Sequence, residues 1–98
     1  MAEIILRTNE PDKAAGILFE VLDAESQRVQ YSLRLAKKRL EGFEKKYNIS
    51  SDKFAAELSA EDLKGKDMEY VEWAGEYKLS LKINERLIVL KSIKHVSA

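Results

Sequence analysis

The sequence predicts a mainly α fold: a long antiparallel helical hairpin with short connecting helices and a minor N-terminal β-strand, assembled as a homodimer. Three observations predict it. Val29, Leu33, Ala36, Leu40, Phe43 and Tyr47 follow one another at alternating spacings of four and three residues, an a/d seam that keeps one apolar stripe facing another helix. Tyr70, Ala74, Tyr77, Leu81, Asn84 and Ile88 repeat at helical spacing near the other end, with Trp73 and Leu87 widening the face. The third observation is charge: Arg39, Lys45 and Lys46 flank the first stripe, while Glu69, Glu72 and Glu76 flank the second. An antiparallel fold-back brings these opposite signs together and fixes the orientation of the two helices.

The elements follow in order. Glu3-Ile4-Ile5-Leu6-Arg7-Thr8 reads as a short strand, bounded by Asn9-Glu10-Pro11, so that residues 1–10 form a strand or arm. Asn9 is a plausible N-cap, Pro11 is tolerated in a first helical turn, and Asp12 suits the positive end of the helix dipole. Ile17, Leu18, Val21 and Leu22 then recur at helical spacing, and no Pro or Gly separates them from Val29. Residues 11–47 therefore read as one helix of roughly 55 Å, with Asp23-Ala24-Glu25-Ser26 as the place for a kink or break. Asn48 suits a left-handed C-cap.

Short helices are expected over 50–64. Ser50 or Ser51 caps the first, which carries Phe54, Ala55 and Leu58, and Ser59 with Asp62 resembles a capping box. Lys64-Gly65-Lys66-Asp67 reads as a turn. Residues 67–91 admit two readings. Helical spacing competes with a strict alternation of Tyr77, Leu79, Leu81 and Ile83 with charged or polar neighbours. Helix is favoured, because the hairpin turn that strands would need, Asn84-Glu85-Arg86, lacks glycine. Residues 92–98 form a tail, of which 92–96 could lie as a strand beside 3–8. Asn84 either sits buried, fixing register, or lies on a wet edge.

Composition narrows the function. The 98 residues suit one domain, 35% of them are charged, and seventeen basic residues balance seventeen acidic ones. Zero net charge argues against nucleic acid as a partner, since phosphate contacts reward a basic field. Without cysteine there is neither disulfide nor thiolate zinc site nor cysteine nucleophile. Apolar runs such as Leu87-Ile88-Val89-Leu90 fall far short of the ~20 residues that cross a bilayer. No charged start followed by an apolar core stands at the N-terminus, so a cytoplasmic location is expected. His95 is the single histidine and has no ligand cluster around it. Glu72 and Glu76 lack the Glu-x-x-His companion of a di-iron bundle. No catalytic, cofactor or metal residue is assigned.

Interaction is the remaining reading. Trp73, Tyr70 and Tyr77 are candidate anchors for a partner, although the usual burial tendency of tryptophan favours core packing for Trp73. Ile4 and Leu6 mark the strand as a segment available for sheet addition. That strand must pair with its own C-terminus, with a second subunit or with another protein. Strand-helix-helix is also the outline of ribbon-helix-helix repressors, but Glu3, Ile5 and Arg7 would read bases poorly and the clear turn between helices is missing. Narrow stripes on long helices leave apolar edges that a second copy would cover.

The run from Arg39 to Phe54, R-L-E-G-F-E-K-K-Y-N-I-S-S-D-K-F, and the hexapeptide E-W-A-G-E-Y at Glu72–Tyr77 together resemble a family of short prokaryotic, often archaeal, helical proteins. Its pattern is R-L-x-x-F-E-x-K-Y-x-[MI]-S-S-x-x-F followed by E-W-x-G-x-Y. Where that family has an acidic-glycine turn before the second motif, this chain has Lys64-Gly65-Lys66-Asp67. The resemblance spans about residues 29–91. Members are commonly encoded beside small putative toxins, so it implies an antitoxin-like role with a small protein partner and favours helix over 69–91. It carries over no catalytic or binding residue.

Overall fold

A computed structural model describes residues 2–57 and 68–93, which form three helices: α1 (Pro11–Tyr47), α2 (Ser51–Glu57) and α3 (Met68–Ser92). The molecule is a rod of 57 × 23 × 19 Å with a radius of gyration of 19.1 Å. A compact chain of this length would have a radius near 13 Å. The long dimension is that of α1, about 55 Å at 1.5 Å per residue.

α1 starts one residue later than Asn9 would set it. Pro11 occupies the first turn and Glu10 is the N-cap, with φ −134° and ψ 75° and no side-chain cap. Proline lacks the N–H that a cap would satisfy and drives the residue before it out of helical backbone, so the boundary falls at Glu10. Thr8 Oγ1 instead accepts the Glu10 N–H at 3.2 Å. There is no break at Asp23–Ser26. Gln27 donates to Asp23 at 3.0 Å and Arg28 pairs with Glu25, so pairs three and four residues apart bridge the soft stretch. Asn48 ends the helix at φ 54°, ψ 45°, the left-handed conformation that asparagine tolerates.

α3 folds back antiparallel on α1. Three ion pairs mark the register: Lys46–Glu69 at 2.8 Å, Arg39–Glu76 at 2.7 Å and Glu25–Arg86 at 3.2 Å. Glu72 and Lys45 take no ion pair among the described residues. Each exposed pair contributes about 0–1 kcal/mol, so the pairs orient the hairpin more than they stabilise it. The α1 seam is covered: Val29, Leu33, Ala36 and Leu40 are buried, and Phe43 and Tyr47 half-buried. Two apolar clusters lie along it, Val29 and Leu33 with Leu87, Ile83 and Leu90, and Leu40 with Phe54 and Trp73. Between them fall two small buried residues, Ala36 on α1 and Ser80 on α3, the Ser80 hydroxyl donating to the Tyr77 carbonyl at 2.6 Å.

Two expectations change. α3 meets α1 along Trp73, Ser80, Ile83, Leu87 and Leu90; of the expected stripe, Tyr70, Ala74 and Tyr77 also pack half-buried against the Leu40–Phe54–Trp73 cluster, while Leu81 and Ile88 stand exposed. Both sets carry heptad spacing, and beyond Tyr77 it is the line through Ser80, Ile83 and Leu87 that turns to α1, continuing from the fully buried Trp73. Asn84 is exposed. The second change concerns the N-terminus. Residues 2–8 have no regular structure and are exposed, and no strand exists among the described residues. A lone strand has no ladder to join among the described residues. The capping box at Ser59, the turn at Lys64–Asp67, residues 94–96 and His95 lie outside the described residues.

Candidate interaction surfaces

The best-defined chemistry in the molecule is an aromatic cage around Trp73. Its indole stacks on Phe54 at 3.7 Å between centroids with 6° between planes, and lies at 5.6 Å from Phe43 and 5.5 Å from Tyr47. Tyr70 closes the end, edge-on to Tyr47 and Phe54. Trp73 Nε1 donates to Ser51 Oγ at 2.9 Å, and the Ser51 N–H donates to Glu44 Oε2 at 2.8 Å. α2 is thus pinned between the helices by one serine: its backbone is held by α1 and its hydroxyl by α3. Ser50 begins the same turn, accepting the Phe54 N–H on its carbonyl at 2.9 Å.

This arrangement corrects the assignment of Trp73. It is fully buried, at 0% exposure, inside its own chain, and therefore belongs to the core rather than to a free face. Tyr70 and Tyr77 are half-buried against the same cluster, while Ile4 and Leu6 stand exposed on the arm. Leu40, Phe43, Glu44, Tyr47, Ser51, Phe54 and Trp73 build the cage and its hydrogen bonds, while Arg39, Glu72 and Gly75 line the groove beside it. The Ser51 contacts to Glu44 and Trp73 have no signature in the sequence, since they join residues 7 and 22 positions apart on three different helices.

Local electrostatics follow the ion pairs. The Lys46 ammonium hydrogen-bonds Glu69 and holds its carboxyl below the usual range. The Arg28 guanidinium does the same for Glu25, with Arg86 adding to it. Partial burial, then the Glu69 carboxylate beside it, pushes the Tyr47 phenol up. No group of three His, Asp or Glu side chains that could hold a metal occurs among the described residues, and no helix among them is long and apolar enough to cross a membrane.

Two uncovered apolar surfaces involve α3. On α3, Leu81 and Ile88 are 52% and 61% exposed and continue the line of Tyr70, Ala74 and Tyr77. On the opposite flank an open groove of about 730 Å³ runs between α1 and α3, floored by Phe43 and Leu79 and rimmed by Arg39, Glu72 and Glu76. Gly42 and Gly75 face into it, with nothing within 4 Å of where a Cβ would stand.

No protein-family model, curated protein or solved structure matches the chain.

Proposed function

We propose that the chain is a cytoplasmic, non-enzymatic protein-interaction module that self-associates and acts as the antitoxin-like half of a two-component pair. One observation carries the reading: α3 has two heptad-spaced apolar stripes, and its own hairpin leaves the C-terminal half of the second, Leu81 and Ile88, exposed. A helix apolar nearly all round its circumference is a helix with neighbours on more than one side. The hairpin supplies the first neighbour, α1. The stripe through Tyr77, Leu81 and Ile88 waits for a second, and a partner's amphipathic helix laid along it matches its spacing. Asn84 in the middle of that stripe gives the pairing a polar reference point for register. The Glu3–Thr8 arm, with Ile4 and Leu6 exposed, adds a segment suited to extending a partner's sheet. The resemblance of Arg39–Phe54 and Glu72–Tyr77 supports a small toxin-like protein as that partner.

The test is co-expression with the small protein encoded next to it, followed by size exclusion. The two should co-elute. The pair Leu81→Asp and Ile88→Asp should separate them while leaving helical content unchanged, since both side chains are more than half exposed. Separate elution of the wild-type proteins contradicts the reading.

A further inference from the structure

We infer that α1 carries a second, self-complementary seam along which two copies of the chain pair antiparallel. This rests on the self-association part of the proposed function and is independent of the toxin-like partner. Ile17, Val21, Ala24, Arg28, Tyr31 and Leu35 alternate at spacings of four and three, and the same rhythm reaches Lys38 and Gly42. At 3.6 residues per turn this line lies roughly 130° around the helix from the Val29–Tyr47 seam. α3 leaves most of it open: Ile17 and Val21 are 62% and 58% exposed, Tyr31 is exposed as well, and Leu35 is half-buried. Six residues of α3 follow Arg86, so the register set by Glu25–Arg86 carries its end to about the level of Phe19. The first two turns of α1, about 12 Å of helix, therefore project beyond the end of α3.

Charge selects the occupant. Over residues 10–25 five carboxylates (Glu10, Asp12, Glu20, Asp23 and Glu25) face a single Lys13, a net −4. Over residues 34–46 six cations outnumber Glu41 and Glu44, a net +4, and with Arg39 and Lys46 paired to Glu76 and Glu69 of α3 a net +2 remains for a partner. A second copy laid antiparallel places each acidic end on a basic middle. A parallel copy stacks like on like, which is repulsive. Shape agrees. In the antiparallel register Ile17 of one copy meets Gly42 of the other, Ala24 meets Leu35, and Arg28 lies against Tyr31. Large side chains fall on small ones, and a guanidinium falls on a ring. Ile17 thereby enters the groove that Gly42 and Gly75 leave open over Phe43 and Leu79.

The experiment uses the absence of native cysteine. Ala24→Cys and Leu35→Cys are introduced singly and together into the full chain. Within one helix the two positions are about 16 Å apart, too far to bridge. Under mild oxidation the double variant should run mainly as a covalent dimer on a non-reducing gel, and each single variant as a monomer. Sedimentation of the unmodified chain should show dimers whose affinity falls about tenfold between about 0.05 M and about 0.5 M salt. Cross-linking of either single variant, which reports a parallel pair, overturns the inference. So does an unmodified chain that sediments as a monomer, a result that leaves the α3 stripe and its partner standing.

Discussion

Replacing Trp73 with alanine removes the one side chain on which all three helices converge. The indole is wholly buried, stacked face to face on Phe54 and flanked by Phe43 and Tyr47. Deleting a buried tryptophan costs about 3–5 kcal/mol in lost contacts and residual cavity. The Ser51 hydroxyl also loses its donor, which adds about 1 kcal/mol. Against a total stability of about 5–15 kcal/mol, a loss near 4–6 kcal/mol leaves the alanine variant at the edge of folding. Trp73→Phe keeps the stack on Phe54 and gives up the N–H, so it should lose about 1–3 kcal/mol. Urea unfolding followed by far-UV circular dichroism measures both, at one fixed protein concentration because association shifts the midpoint. In the wild type the same transition should appear in the emission of the single tryptophan, moving from blue to red. An alanine variant that loses less than about 1 kcal/mol would refute the cage as the centre of the fold.

Two further outcomes follow from the hairpin interface. Glu69 and Glu25 have carboxyls held below the ordinary 4.5, so the unfolded chain binds more protons than the folded one as pH drops through that value. Their stabilisation is present above the ordinary value and lost below it, and the melting temperature should fall from about pH 5 to about pH 3. Glu69→Gln should flatten part of that fall, and a melting temperature constant over the range would contradict the pairing. Ala36→Leu forces a larger side chain into the narrow waist shared with Ser80 and should cost about 1–3 kcal/mol in chemical denaturation. A neutral result would mean that the helices stand apart there.

The helical character was legible because heptad-spaced apolar residues with charges between them leave few other readings for a chain with one proline. The face of α3 that meets α1 was not. Trp73, Ser80 and Leu87 share their rhythm with Ala74, Leu81 and Ile88, one residue out of step, and periodicity alone cannot rank two stripes of equal spacing. What ranks them is long-range: the pocket made by Phe43, Tyr47 and Phe54, and the Ser51 acceptor, exist only after α2 is in place. The same blindness made Trp73 a candidate anchor, since a buried and an exposed tryptophan look alike in one dimension. The arm over Glu3–Thr8 shows the converse. Its β-branched residues express a strand preference, and preference without a neighbouring strand produces no ladder.

The most direct test of the architecture is amide hydrogen exchange on the isolated protein. The account holds that α3 of the same chain covers the α1 seam, so amides of residues 29–47 and 73–90 should open together with one common free energy, while residues 2–10 exchange at once. If α1 stays protected after the amides of α3 have exchanged, its seam is held by something other than α3. The hairpin, and with it the uncovered second stripe, would then be wrong.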